Sequence, residues 1–368
     1  ALLIEHPKIM ARKCIASINL SAIKKNYLYA KSLAPQSQVI AVVKANAYGH
    51  GAIEVAHQLE GDADCYGVAC SEEAQELRNS GILSTPILLM EGIFEESEIE
   101  LVSQLNLWLV VCNSLQVQWV LNNKSNFKFN MFIKIDSGMG RLGFQEDEFI
   151  KVSQLLENSK NVENITLMSH FSSADNLESN STKKQLSRFN SLLGSNKKRA
   201  SLANSAAIMA HGDSHRDFIR PGIMLYGSSP FPFSENFKDL LPVMTLSSTV
   251  ISIKRFKKGQ TIGYGDRFTC KKDTAIGVVA IGYGDGYPRS AKDGTPVFIN
   301  GSVAKLAGKV SMDMITIDLD GVLNPQIGDR VELFGDNIPI DVVAENSNTI
   351  SYEIFTKITN RVYKTYIS

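Results

Sequence analysis

The residue best placed for covalent chemistry is Lys44, which closes the apolar run AVVK and is followed by ANAYGHG, a stretch of small residues with Tyr48 and two glycines. An amine at the end of a strand serves as nucleophile or base once burial or a neighbouring cation lowers its proton affinity. Further along, KIDSGMGRLGF carries Lys134 and Arg141, and SHFSSAD carries His170. LANSAA then brings Asn204 and Ser205, and IRPGIMLYG brings Arg220, Gly222 and Ile223. The last third adds Tyr264 in TIGYGDRF, Tyr283 and Arg289 in IGYGDGYPR, Met312 and Asp313 in GKVSMDMITIDL, and Tyr352 in TISYEIFTKITNRV. Two patterns suggest other chemistry without completing it. HGDSH spaces His211 and His215 at i,i+4 but lacks a third ligand and the glutamate of HExxH, so it reads as a polar helix end and no metal is expected. The glycines of IGYGDGYPR do not form GxGxxG between a strand and a helix, which argues against a dinucleotide fold.

These groups need a scaffold. From about Ser21 to Leu241, short β-rich runs alternate with amphipathic stretches: VIAVV, CYGVA, PILLM, LWLVV, MFIKI, ITLMSH, RASLAN and DFIRPG. Eight such strands separated by helices predict a closed parallel sheet, the (β/α)8 TIM barrel of the α/β class. Barrels hold reactive groups at the C-terminal ends of their strands, where Lys44 falls, and build phosphate sites after strands seven and eight, where Ser205 and Gly222 fall. Ser71 before EEAQELRNS and Gly81 after it predict an N-cap and a C′ glycine. After Pro242 the pattern changes to TLSSTVISIKRF, TAIGVVAIGYG, TPVFING, MITIDL and RVELFG, predicting a mostly β C-terminal domain. The expected organisation is therefore an N-terminal strand in residues 1–20 that joins the β domain, a barrel over 21–242 and the β domain over 243–368. The PFPFSENFKDLLP segment is its surface linker.

Composition fits small-molecule chemistry. In 368 residues, Lys plus Arg and Asp plus Glu are both 38, so no net field recruits nucleic acid or an anionic membrane. Five cysteines without a CxxC pair predict reduced packing residues. No apolar run is long enough to span a bilayer, and ALLIEHPKIMARK lacks a basic-then-apolar leader pattern, so a cytoplasmic location is expected.

The string AVVKANAYGHG resembles the cofactor-attachment motif of the alanine racemases, and the later motifs resemble the same family in the same order. The resemblance implies a pyridoxal 5′-phosphate (PLP) enzyme that interconverts L- and D-alanine and supplies D-alanine for peptidoglycan. It makes Lys44 the Schiff-base lysine and one catalytic base, and Tyr264 from the second subunit of a homodimer the other base. Tyr48, Ser205, Gly222, Ile223 and Tyr352 would hold the cofactor phosphate with Asn204 as support, and His170 would pack on the pyridine ring. Arg220 would face the ring nitrogen, where a cation disfavours protonation and weakens the electron sink. Arg141 and the Met312 amide would bind the substrate carboxylate, with Asp313 bracing the site and Tyr283 and Arg289 near the entry corridor. Lys134 is either carbamylated, so that it orients Arg141, or paired with Asp136. Lys309 and Ser311 stand where the family usually has arginine and cysteine.

Two other readings share the scaffold. A barrel-type PLP decarboxylase of basic amino acids calls for an acidic residue in place of Arg220 and a glycine-rich phosphate loop. A broader-specificity racemase usually carries a secretion signal.

Overall fold

The computed structural model describes residues 11–194, 198–234 and 239–368. The chain divides into two compact units, Leu20–Leu241 and, together with residues 11–19, Pro242–Ser368. Residues 1–10 and 235–238, on which parts of the predicted N-terminal segment and linker fall, lie outside the described residues.

A first strand, β1 (Ile15–Asn19), belongs to the second unit. In the first unit, β2 (Gln38–Val42), β3 (Cys65–Val68), β4 (Ile87–Leu89), β5 (Leu107–Val111), β6 (Phe129–Lys134), β7 (Val162–Met168), β8 (Arg199–Ser201) and β9 (Phe218–Ile219) close into a parallel barrel. Closure is made by β9 against β2, with Phe218 beside Gln38 and Ile219 beside Val39. Ile40, Cys65, Leu88, Val110, Phe132, Met168 and Phe218 form one cluster, a residue from each of seven strands. Only the inside of a closed sheet brings those strands together, so the barrel is a packed core whose groups for chemistry must lie at the strand ends. Helices lie between the strands, among them Leu20–Leu33, Ser71–Asn79 and Glu146–Glu157.

The Ser71–Asn79 helix starts one residue away from the predicted cap. Cys70 holds the N-cap position without a side-chain bond to the helix's backbone amides, while Ser71 is already helical and its hydroxyl donates to Glu98 (2.6 Å). A carboxylate on the following helix has outbid the backbone for that hydroxyl. At the other end Gly81 has φ +105°, and Ile82 N–H reaches back to the Leu77 carbonyl (3.2 Å), the six-residue closure of a glycine-terminated helix.

In the second unit the remaining strands are β10 (Met244–Phe256), β11 (Thr261–Ile262), β12 (Phe268–Thr269), β13 (Thr274–Val279), β14 (Pro296–Ile299), β15 (Ser302–Leu306), β16 (Ile315–Asp318), β17 (Arg330–Phe334) and β18 (Tyr363–Ile367). The main sheet runs β13-β16-β15-β14-β17-β10-β1-β18, and the long β10 also pairs with β13, which closes six strands on themselves. The β14–β15 hairpin turns on Asn300 and Gly301, both at positive φ (48° and 74°), as an Asn-Gly sequence between alternating apolar residues dictates. Two short helices, Ile340–Asn346 and Ser351–Thr356, interrupt the β pattern. Neither reaches two full turns, too short for a helical period to stand out in the sequence. Among the described residues no helix is long and apolar enough to cross a membrane.

Candidate active site

Lys44 follows β2 at its C-terminal end, and the four residues after it form a left-handed turn: Ala45, Asn46, Ala47 and Tyr48 all have φ of 52–53°. For side-chain-bearing residues this region costs about 1–2 kcal/mol each, so the turn persists only because its surroundings dictate it. Glu73 supplies part of that support, accepting Ala45 N–H and Ala69 N–H, each at 2.8 Å, and so joining the turn to the end of β3. Asn46 adds a second tie through Ala52 N–H (2.8 Å). The Lys44 amine is half-buried, 3.6 Å from Glu91, the second residue past β4.

Three further cations share this end of the barrel with it. Arg220, next after β9, is buried; it donates through Nη1 to Ser201 Oγ (2.5 Å) and through Nη2 to the carbonyls of Ser169 (2.6 Å) and Leu202 (3.1 Å) and to His170 Nδ1 (3.4 Å). Its buried Nε has no partner among the described residues. Burial, then the charges of Arg220, Lys134, Arg141 and Lys44, pull the His170 pKa down to about 3, so the imidazole is neutral at physiological pH. Lys134, last in β6 and 6% exposed, is pulled down to about 8 by burial and then by Arg220 and Arg141. It has no carboxylate partner among the described residues. The Asp136 pairing, one of the two readings of this lysine from sequence, is absent because Asp136 is engaged elsewhere. Its Oδ1 accepts the N–H groups of Gly138, Met139 and Gly140 (2.9–3.0 Å), and its Oδ2 accepts Gln145. Those bonds shape the loop that carries the exposed Arg141, whose base closes through Phe144 N–H to Lys134 O (2.8 Å) and Asp136 N–H to Phe144 O (3.1 Å).

After β8 and β9 two short helical turns begin next to each other. Asn204 caps the Ser205–Ala210 helix by accepting Ala207 N–H (3.1 Å), and Ser205 Oγ accepts the amides of Gly222 (2.9 Å) and Met224 (3.3 Å). Ser205 and Ile223 each begin a helical turn, so their own amides have no acceptor within it. A Cβ on Gly222 would lie 2.6 Å from the Tyr48 hydroxyl, so the approach of these two segments requires glycine. Tyr48 stacks on Tyr226 (4.8 Å), which donates to the Val42 carbonyl (2.7 Å).

The other candidates fall in the β unit. Tyr264 opens the turn between β11 and β12 and is 67% exposed. That turn lies against Gly308 and Lys309, and Arg267 fixes it by donating to Asp293 (3.0 Å) and to the Gly308 carbonyl (2.7 Å). Met312, 53% exposed, and Asp313 lie on the loop before β16, and Arg289 stands over the ring of Tyr283 at 5.7 Å. Tyr352 lies on the Ser351–Thr356 helix. The histidines of HGDSH each bond a different carbonyl, His211 that of Ala174 (2.9 Å) and His215 that of Ile208 (3.0 Å).

The sequence profile described as alanine racemase, N-terminal domain, matches residues 18–230, and that described as alanine racemase, C-terminal domain, matches residues 243–366. The chain belongs to the alanine racemase family. The alanine racemase of Pasteurella multocida is 46% identical over 353 residues, 96% of this chain and 98% of its own length. A crystal structure of biosynthetic alanine racemase from Pseudomonas aeruginosa superposes with a TM-score of 0.94 at 43% identity, covering 97% of this chain and all of that one. One of the Bartonella henselae alanine racemase, with covalently bound pyridoxal phosphate, superposes at 0.88 with 32% identity, covering 96% and 99%.

Within this alanine racemase family fold, several groups at the barrel mouth escaped the sequence reading. Glu91 beside Lys44 and Glu73 beneath the left-handed turn are the clearest. A signal for Glu91 existed, since it follows PILLM as closely as other candidates follow their strands. None existed for Glu73, which reads as an ordinary first-turn helix acid.

Proposed function

We propose that the protein is a PLP-dependent racemase that interconverts L- and D-alanine by two bases, Lys44 of one chain and Tyr264 of its partner in a cytoplasmic homodimer, and supplies D-alanine for peptidoglycan. The observation that carries the reading is the convergence of the half-buried Lys44 amine, the neutral His170 ring and the unpartnered Arg220 Nε at one end of the barrel. The residues present fit the cofactor. Arg220 Nε is a buried donor available to a ring nitrogen, and the helical turns opened by Ser205 and Ile223, with Gly222 and the Tyr48 hydroxyl close by and Asn204 fixing one helix start, offer amides and a hydroxyl to a phosphate. Tyr352 is proposed as a further phosphate contact that also narrows the substrate space.

When bound, PLP supplies an aldehyde that combines with an amine and a ring that acidifies the substrate's Cα–H. Arg141 and the Met312 amide bind the substrate carboxylate, Asp313 braces the Met312 loop, and Tyr283 and Arg289 line the approach. Lys44 Nζ and Tyr264 Oη take and return the Cα proton on opposite faces of the substrate. The neutral amine of Lys134, abundant near its pKa of about 8, adds to carbon dioxide and releases one N–H proton to solvent, and the resulting carbamate orients Arg141. The exposure of Tyr264 and Met312 on a single chain supports their serving a partner. An arginine rather than an acidic residue at position 220 supports this reading over a decarboxylase.

The test is D-alanine formation from L-alanine by purified protein with added PLP. Turnover of L-alanine but not of L-lysine or L-arginine is expected; turnover of the basic amino acids with L-alanine inert would overturn the reading. A second expectation concerns the proposed phosphate site. Gly222→Ala should weaken PLP binding about tenfold to a hundredfold, because its methyl displaces the Tyr48 hydroxyl and reshapes the amide surface. Titration of apo-protein by absorbance measures this, and unchanged affinity would place the phosphate elsewhere.

A further inference from the structure

The β unit contains an ionic cluster around one buried carboxylate that neither the sequence motifs nor the two bases require. Asp285 is fully buried, yet its carboxylate accepts both Arg12 Nη groups (2.7 and 2.5 Å) and Gly282 N–H (2.9 Å), with Arg361 Nε at 3.3 Å. Both arginines continue to the next loop: Arg12 Nη2 donates to the Asp313 carbonyl (3.2 Å), and Arg361 Nη2 to the Asp313 carboxylate (2.6 Å). The Asp285 turn is itself bonded to that loop, through Tyr283 N–H to Ser311 O (3.0 Å) and Gly284 N–H to Met312 O (2.9 Å). A Cβ on Gly282 would collide with the carbonyls of Ser311 and Met312, and one on Gly284 would lie 2.5 Å from Arg361 Nη1. The turn and the loop are therefore fixed against each other by two backbone bonds and two arginines, while the Met312 N–H has no acceptor among the described residues.

We infer that Asp285 is a positioning residue for substrate binding, setting the place of the Met312 amide through Arg12, Arg361 and the Gly282–Gly284 backbone. The inference rests on the proposed role of Met312 in holding the substrate carboxylate. Burial pushes the Asp285 carboxyl upward, but the Arg12 hydrogen bonds, the Gly282 amide and the charges of Arg12 and Arg361 outweigh it, and the net pKa is below the ordinary value. The group is ionised at neutral pH, and its neutral isostere removes a real charge. Because a carboxylate contact is equally present before and during proton transfer, its loss falls on KM and on the binding of carboxylate inhibitors, with little effect on kcat.

The experiment uses PLP-loaded enzyme and reads KM for L-alanine, kcat and the inhibition constant of propionate. Asp285→Asn should raise KM and the propionate constant together by about tenfold, the loss of roughly one charge-assisted hydrogen bond. Arg361→Gln, at a half-exposed residue, should do the same by about threefold and decides the matter if Asp285→Asn fails to fold. A scaffold role alone would lower the fraction of active enzyme and leave KM and the propionate constant at wild-type values, and that pattern would overturn the inference. Wild-type protein that neither racemises alanine nor binds propionate would remove the proposed function and this inference together. Wild-type protein that does both, with folded variants indistinguishable from it, would overturn this inference alone.

Discussion

Lys44→Ala should give a folded protein that binds PLP without a covalent bond and racemises alanine at least about 10³-fold more slowly, since a positioned proton donor or acceptor contributes roughly 10²- to 10⁴-fold and covalent capture is lost as well. Folding should survive. The strained turn begins at Ala45, after the substituted residue, and is held by Glu73 and Asn46. The lost partner, Glu91, is partly exposed, and such an ion pair contributes at most about 1 kcal/mol. The measurement is borohydride reduction of PLP-treated protein followed by peptide mapping, with wild type labelled at Lys44 and the variant unlabelled. Lys134 is the informative control, because it is buried near the same mouth with a lowered pKa of about 8. A variant labelled at Lys134 with racemase activity intact would show that the wrong lysine had been assigned.

Tyr264→Phe should lower racemisation by about 10²- to 10⁴-fold while leaving half of the proton chemistry in place. With the phenol gone, Lys44 still reaches the Cα proton on its own face, so one enantiomer of alanine should exchange that proton with deuterated solvent while the other does not. Proton NMR of each enantiomer in heavy water reads this directly. Tyr264 is 67% exposed on the single chain, so loss of its hydroxyl leaves that chain's own fold intact, and the effect can be read as chemistry. Equal exchange of both enantiomers would show that Tyr264 is not the second base.

The barrel was legible because each strand is a short apolar run ended by polar or glycine-bearing residues, and the chain's helices fit between them. The position of Lys44 at a strand end followed from that alone. The conformation of the next four residues did not: Ala45, Asn46, Ala47 and Tyr48 contain no glycine, and part of what holds their positive φ values is Glu73, 28 positions from Ala45. The Ser71 cap was misplaced for a related reason, because the competing acceptor, Glu98, lies on another helix. Nothing local sets Asp285 apart within IGYGDGYPR. Its partner Arg12 is 273 positions away, and no local pattern announces such a pair. Motif order offered the candidate residues, whereas the contacts that hold them in place, such as Glu73 to Ala45 and Arg12 to Asp285, are long-range and needed the fold.

The most direct test of the two-base, two-chain account is a mixed dimer of the two inactive variants. Co-expressing Lys44→Ala and Tyr264→Phe chains under different affinity tags allows the heterodimer to be isolated. If each site takes Lys44 from one chain and Tyr264 from the other, one site receives both lesions and the second receives none. The purified heterodimer should then recover about half of wild-type activity, and an unfractionated equal mixture after free exchange about a quarter. A verified heterodimer as inactive as its two parents would contradict the account, placing Lys44 and Tyr264 in one chain's site or removing Tyr264 from the chemistry.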